Sequence, residues 1–210
     1  MSFFVENKGN GFENCPPGMH LARCYRIVDL GTQKSSYMGQ PKFQHKIMIG
    51  WEVHPTDEDG KLVKMRDGRP FAVFANYTHS WSEKAKLRIH LQSWRNKPFT
   101  KEELRRFDLK NVLGAFCMLT VIEREGEDGS IHSNVNGVNP VPSVVKNSGL
   151  PPPINPNELF TLQNPDMALF ETFSDKLKAK IMSSPEWQKL EKGETAKPQV
   201  DEEEDQDIPF

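Results

Sequence analysis

The feature that most constrains the fold is a strict two-residue alternation between residues 42 and 53. Apolar or aromatic side chains occupy every second position from Phe43 to Val53, except at His45, and the positions between them are mostly polar or basic. Successive side chains of a β-strand point to opposite faces, so the pattern predicts a half-buried strand with one core face. We predict that Lys42 and Lys46 lie on its polar face.

Four further segments have the composition of strands. Residues 19–30 interleave apolar and basic side chains before a turn at Gly31, and residues 71–78 are rich in aromatic and β-branched types. Residues 112–124 and 130–141 lie on either side of a Gly-containing acidic turn. The sequence therefore predicts five strands.

Two helices are predicted between the third and fourth strands. Residues 80–83 fit a capping box, and Leu87, Leu91 and Trp94 then follow at helical spacing, which indicates one buried stripe. Residues 100–103 repeat the capping pattern for a shorter helix. Trp94, like Trp51 on the second strand, is predicted to be core.

This order of elements favours a mainly β fold, a five-stranded Greek-key barrel of the OB type with a helical insertion between strands three and four. In that fold the strand faces and loops bind oligomers. An open α+β sandwich would give the same order of elements and stays an alternative.

The composition divides the chain into five parts. Residues 1–17 form an irregular N-terminal segment, and residues 18–142 form the OB-type domain. Residues 143–165 are a Pro-rich linker, because seven of the sixteen prolines lie between 140 and 165. Residues 166–192 form a helical segment, with one amphipathic helix up to Met182 and a shorter one after it. Residues 193–210 are a disordered acidic tail.

The net charge of −2 hides a strong asymmetry along the chain. Residues 199–210 carry six acids and no base, whereas residues 20–110 carry 18 Lys and Arg against 10 Asp and Glu. A basic body with a separate acidic end favours a polyanion-binding surface and an interaction tail. The alternative is a merely solvated surface with a solubilising tail.

Several functional classes find no support in the sequence. No apolar stretch is long enough for a membrane span, and the first residues lack the pattern of a signal peptide. Three cysteines without C-x-x-C spacing and six histidines without ligand spacing indicate no metal site and no cofactor. Catalytic motifs are absent, so we expect a non-enzymatic cytoplasmic protein.

Aromatic residues interleaved with basic ones point to single-stranded nucleic acid, because such binders combine a basic groove with rings on which bases stack. The candidates lie on the first three strands and in the two loops that connect them, and a core role is the alternative for each strand aromatic. The candidate residues are Arg23, Tyr25, Arg26, Lys34, Tyr37, Lys42, Lys46, Lys64, Arg66, Arg69, Phe74 and Tyr77.

The last ten residues carry the most specific signal. Residues 201–205 are five acids in a row, Gln206 follows in place of an acid, and Asp207, Ile208, Pro209 and Phe210 come after it. This ending resembles the C-terminal tip of bacterial single-stranded-DNA-binding proteins. A terminal Phe offers a ring and a carboxylate together, so a partner needs an apolar pocket beside a base. The candidate partner-binding residues are Asp205, Asp207, Ile208, Pro209 and Phe210.

The body, roughly residues 18–142, resembles a group of bacteriophage replication-associated OB-fold proteins. Most of the residues that carry this resemblance serve packing and capping. They are Asn76-Tyr77-Thr78-His79-Ser80, Lys84, Leu87, Leu91, Trp94-Arg95, Pro98-Phe99-Thr100, Glu103, Phe107-Asp108-Leu109 and Leu113-Gly114.

The two resemblances imply a phage-encoded single-stranded-DNA-binding protein in the cytoplasm of a bacterial host. It would coat exposed strands in replication or recombination and recruit replication or recombination proteins through the tip, and a homo-oligomer is a further candidate assembly. The alternative is an OB-fold protein-interaction adaptor without DNA binding of its own. A third class is an accessory to a nuclease or annealing protein.

Overall fold

A long first strand organises the sheet. In this computed structural model, which describes residues 13–37, 40–126 and 129–193, β1 (Gly18–Tyr37) pairs antiparallel with β2 (Gln40–His54). Its other edge is shared by two strands: β4 (Phe116–Glu125) pairs antiparallel with its start, and β6 (Glu158–Phe160) pairs parallel with its middle. Register shifts near Tyr25 and Leu30 bend β1 between these partners.

The remaining strands extend the sheet at both edges. β3 (Phe71–Thr78) pairs antiparallel with β2, and β5 (Ile131–Asn139) pairs antiparallel with β4. The order is β3-β2-β1-β4-β5, with β6 attached to β1. The predicted mainly β architecture is confirmed as a largely antiparallel six-stranded sheet. No ladder joins β3 to β5 within the described ranges, so the sheet is open there.

Six α-helices pack around the sheet in the described part of the chain. Between β3 and β4 lie α1 (Lys86–Arg95), α2 (Lys101–Arg106) and a short 3-10 helix. After β5 come four more. They are α3 (Ser143–Asn147), α4 (Met167–Glu171), α5 (Asp175–Met182) and α6 (Pro185–Glu191).

The capping predictions have mixed outcomes. At α2 the capping box is confirmed, because Thr100 accepts a hydrogen bond from the Glu103 backbone N–H and the Glu103 carboxylate accepts one from that of Thr100. The box at residues 80–83 is wrong: α1 begins at Lys86 after Ala85, whose side chain provides no cap. Residues 82–84 form a bend and turn instead, and the Ser80 hydroxyl accepts a hydrogen bond from the Ser82 backbone N–H.

The main core lies between the sheet and α1. Trp51 and Trp94 are both buried in it, as predicted, with their ring centroids 6.4 Å apart. The inward face of β2 contributes Ile47, Ile49 and Val53, in agreement with the two-residue alternation. The predicted stripe of α1 is also buried.

A second core lies on the opposite face of the sheet. Residues 155–193, called the C-terminal module below, pack Phe160, Phe170 and Trp187 against Val28 and Leu30 of β1. The Phe170 and Trp187 rings stack at 4.5 Å between centroids. The linker prediction for residues 143–165 is therefore wrong, because this stretch contains α3 and contributes β6 to the sheet.

The single helix predicted up to Met182 is also wrong. It divides into α4 and α5, because the Ser174 hydroxyl accepts a hydrogen bond from the Leu177 backbone N–H and starts a new helix. The shorter helix after it is confirmed as α6, which begins at Pro185 behind the capping Ser184. These short helices place large apolar side chains on the sheet from several directions.

A buried ion pair anchors the C-terminal module. The Arg23 Nε donates to Glu52 Oε1 at 2.8 Å, and its two amino groups donate to Asn157 and to the Asn155 carbonyl. Glu52, which is fully buried, also accepts from the backbone N–H groups of Ile154 and Asn155. Burial alone would raise the pKa of Glu52, but these donors hold it below its usual value. Arg23 is thus a structural anchor between two strands and the module.

We predict that Arg23→Ala destabilises the fold by about 3–5 kcal/mol, because it leaves the Glu52 carboxylate buried without its cation. Urea denaturation followed by circular dichroism measures this loss. Arg69→Ala is the matched control, since Arg69 forms an exposed pair with Asp67 and such pairs contribute little. If the two variants unfold at the same urea concentration, the buried pair does not anchor the module.

Candidate nucleic-acid interface

The most exposed part of the sheet is a two-stranded hairpin. Residues 32–46, called the hairpin arm below, begin at the last β3 pairing at Lys46, and among the described residues positions 32–45 have ladder partners only within the arm. Lys34 lies opposite Phe43, so both side chains share one face of the arm. Phe43 is 63% exposed. Its predicted place on the apolar core face is wrong, because the arm leaves the core behind.

The arm replaces a predicted loop. Lys34 and Tyr37 were expected between the first two strands, whereas β1 continues to Tyr37, whose backbone pairs with Gln40. Lys34 is exposed on the arm. The Tyr37 side chain is not among those described, so its stacking role stays a prediction.

The other face of the arm carries a cluster of ammonium groups. Lys46 Nζ donates to Thr78 Oγ1 at 2.6 Å and to Gln44 Oε1 at 3.0 Å. Burial lowers the pKa of Lys46, and the neighbouring charges of Lys180 and Lys42 lower it further. Lys42 and Lys46 thus lie on the polar face, as predicted.

Lys180, which lies on α5 of the C-terminal module, is close enough to Lys46 for its charge to affect it. It is not among the nucleic-acid-binding residues predicted from the sequence. Gln33 Nε2 donates to the backbone carbonyl of Lys180 at 2.9 Å, which fixes α5 beside the arm. Burial lowers the pKa of Lys180, with a further contribution from Lys176. No sequence signal pairs Gln33 with residue 180, since the contact arises from packing of the module.

Charge along the arm is of one sign. No Asp or Glu occurs between Asp29 and Glu52, while Lys34, Lys42 and Lys46 lie there. Two acids contact the root of the arm: Asp29 lies 2.7 Å from His45 Nε2, and Glu186 accepts from Thr32. Burial would raise the pKa of Asp29, but the contact with His45 holds it below its usual value. These contacts fix the root to α6 and leave the arm basic.

Below the arm, the outer face of the sheet is partly covered. Phe74 is half-buried with its ring over Gly50, where an added Cβ would lie 2.6 Å from a ring carbon. The Arg26 guanidinium lies over the rings of Phe74, Tyr25 and Phe173. Arg26 is also paired with Glu158, so its charge is already neutralised. Phe74 keeps a partly open edge, whereas Arg26 does not offer a free cation.

Three of the predicted nucleic-acid-binding residues are buried, and for them that prediction is wrong. Arg23 is engaged by Glu52, and the Tyr25 side chain is only 5% exposed. Tyr77 is 2% exposed and its hydroxyl hydrogen-bonds to His90 Nδ1 at 2.9 Å. None of these side chains can meet a base or a phosphate without unfolding. The core reading of the two tyrosines, considered as the alternative, is the one observed.

The basic loop between β2 and β3 lies away from the arm. Lys64, Arg66 and Arg69 are exposed, but Arg66 is paired with Glu13 and Arg69 with Asp67. The loop follows the far end of β2, eight residues from Lys46, and a strand rises about 3.3 Å per residue. Roughly 25 Å therefore separates the basic residues of this loop from Lys46 on the arm, so the two sets of candidates do not form one surface.

A cavity of about 540 Å³ opens at that far end of the sheet. Its walls are largely apolar, and several of the large apolar side chains around it are exposed. The cavity is lined in part by Met19, His54, Leu62, Met118, Val145 and Leu150. His54 is buried there, its Nε2 has no hydrogen-bond partner among the described residues and lies 3.7 Å from Glu52 Oε1, and burial lowers its pKa.

The acidic tip lies outside the described residues. Asp205, Asp207, Ile208, Pro209 and Phe210 therefore stay sequence predictions. Among residues 13–37, 40–126 and 129–193, no helix is long and apolar enough to cross a membrane. The same residues contain no group of three or more His, Cys, Asp or Glu side chains that could hold a metal ion.

Two comparisons with known proteins were negative. No protein-family model matches the chain. A search of curated proteins finds no relative either.

Proposed function

We propose that this protein binds single-stranded DNA through the hairpin arm and the adjoining face of β2 and β3. The observation that carries the proposal is the composition of the arm, which presents exposed Phe43 with lysines on both faces and no acid between Asp29 and Glu52. Lysines attract the phosphates, and an exposed ring provides a surface on which a base stacks. No catalytic group or cofactor is part of the proposal.

The strand order supports the finer proposal of an OB-type barrel. β3 and β5 are the two outer strands of the path, and α1 packs against both of them across the open seam. Closing that seam would give the five-stranded barrel that binds oligomers on its strands. With the two resemblances, this arrangement supports a role in coating exposed strands during phage replication or recombination.

The proposal predicts that Lys42→Glu with Lys46→Glu weakens binding of labelled oligothymidine. Each phosphate contact contributes about 0.7 to the slope of log K against log salt, so losing two lowers the slope by ~1.4. Fluorescence titration at several salt concentrations measures both quantities.

The matched control for this pair is Lys101→Glu with Arg105→Glu, which reverses two exposed charges on α2. The control pair should keep the wild-type slope. Urea denaturation of both double variants separates a binding defect from a folding defect. If the protein with Lys42→Glu and Lys46→Glu binds oligothymidine with wild-type affinity and salt slope, the proposed site on the arm is wrong.

A second prediction concerns the ring of Phe43. Phe43→Ala should cost about 1–3 kcal/mol of oligothymidine affinity with an unchanged salt slope, because stacking involves no counterion release. Leu62→Ala is the control, since Leu62 is an exposed apolar residue near the far cavity. If both variants bind like wild type, Phe43 is not a stacking platform.

We also propose that the acidic tip recruits replication or recombination enzymes. Phe210→Ala should abolish their capture from a host lysate, identified by mass spectrometry, and leave oligothymidine affinity unchanged because every acid remains. Deleting residues 201–210 should instead tighten binding at low salt, where the acids compete best with phosphates. Retained capture by the Phe210 variant would contradict a role for the tip.

The second candidate function is a protein-interaction adaptor. The apolar cavity at the far end of the sheet favours it, because exposed apolar side chains such as Met19 and Leu62 mark protein contacts. An adaptor has no reason to bind oligothymidine in a salt-dependent way. Absence of binding by the intact protein at low and moderate salt would favour this function over the first.

A further inference from the structure

Two parts of the chain that are distant in sequence meet beside the hairpin arm. Lys42 and Lys46 belong to β2, whereas Lys180 belongs to α5 of the C-terminal module. The hydrogen bond from Gln33 Nε2 to the Lys180 carbonyl places α5 against the arm. Gln33 pairs across the arm with Gln44, whose side chain accepts from Lys46 Nζ. Lys42 and Lys46 therefore share one face of the arm with the Gln33–Gln44 pair, and the backbone of Lys180 contacts that pair.

The charges of this cluster are mutually unfavourable. The ammonium groups of Lys180 and Lys42 both act on Lys46, and Lys176 acts on Lys180. Lys46 has two neutral hydrogen-bond acceptors, Thr78 and Gln44. An anion between the ammonium groups would relieve their repulsion, so the cluster favours a phosphate group.

We propose that Lys180 completes a phosphate-binding cradle with Lys42 and Lys46, so that strand binding and docking of the C-terminal module stabilise each other. This inference rests on the proposed function and deepens it, because it makes the module part of the site. A phosphate held from both sides links the arm to α5. By linkage, strand binding must favour docking of the module by the same factor by which docking raises affinity for the strand.

The first test is charge reversal at Lys180. Lys180→Glu should lower the salt slope for oligothymidine by ~0.7, which corresponds to about fourfold weaker binding at 0.15 M salt. Lys180→Gln should cause a similar loss of slope without adding a negative charge. Lys189→Glu is the matched control, because Lys189 is an exposed lysine of the same module on α6.

The second test measures the linkage directly. Hydrogen–deuterium exchange of residues 166–192 should slow when oligothymidine is added to the full chain, because binding stabilises the docked module. In the Lys180→Glu protein this slowing should be reduced, while it persists in Lys189→Glu. Urea denaturation without DNA should show that both variants fold.

The outcomes separate this inference from the function on which it depends. If Lys180→Glu and Lys180→Gln bind like Lys189→Glu, and exchange of residues 166–192 is unaffected by DNA, the cradle is wrong. The proposed function then stands on Lys42 and Lys46, provided that their reversal still weakens binding. If reversal of Lys42 and Lys46 also has no effect, the proposed function fails at this face of the sheet.

Discussion

The buried pair of Arg23 and Glu52 joins three parts of the molecule at one point. Arg23 lies on β1 and Glu52 on β2, and both also hydrogen-bond to residues 154–157 at the start of the C-terminal module. A desolvated ion pair is favourable only when further hydrogen bonds satisfy its remaining donors and acceptors. The peptide groups and side chains of the module supply those bonds, so the pair and the docked module depend on each other.

Docking of the module decides which part of the sheet remains open. β6 covers the middle of β1, Phe160 and Trp187 cover Val28 and Leu30, and Glu186 caps the edge at Thr32. Beyond that point α5 contacts the arm at Gln33, and Lys34, Lys42 and Phe43 are exposed. The hairpin arm is therefore the surface at which a basic, partly aromatic stretch of the sheet meets solvent.

Local patterns were sufficient to predict the parts of the fold that local forces determine. Alternation on β2 identified the strand and its core residues up to Trp51 and Val53, and the Thr100–Glu103 capping box identified α2. Contacts between segments that are distant in sequence could not be predicted from these local patterns. Arg23 looks like an exposed basic residue in the sequence, yet it is buried and donates to Asn155 and Asn157, more than a hundred residues later.

In the candidate site, too, local patterns predicted some residues and long-range packing determined the others. Lys42 and Lys46 were found because period two places them on one face, whereas Tyr77 looked identical to a stacking residue until its partner His90 on α1 was known. Phe43 was assigned to the core because alternation cannot tell where a strand leaves the core. Lys180 carried no signal, since its place beside Gln33 depends on the whole module.

The most direct test of the account is photo-crosslinking of oligothymidine to the full chain, with the attached peptides mapped by mass spectrometry. Direct crosslinking joins a base to a side chain in contact with it, so it reports the surface without any substitution. The account predicts adducts within residues 32–46, with Phe43 among the modified residues. Adducts confined to the β2–β3 loop around residues 61–69, with none on the hairpin arm, would contradict it.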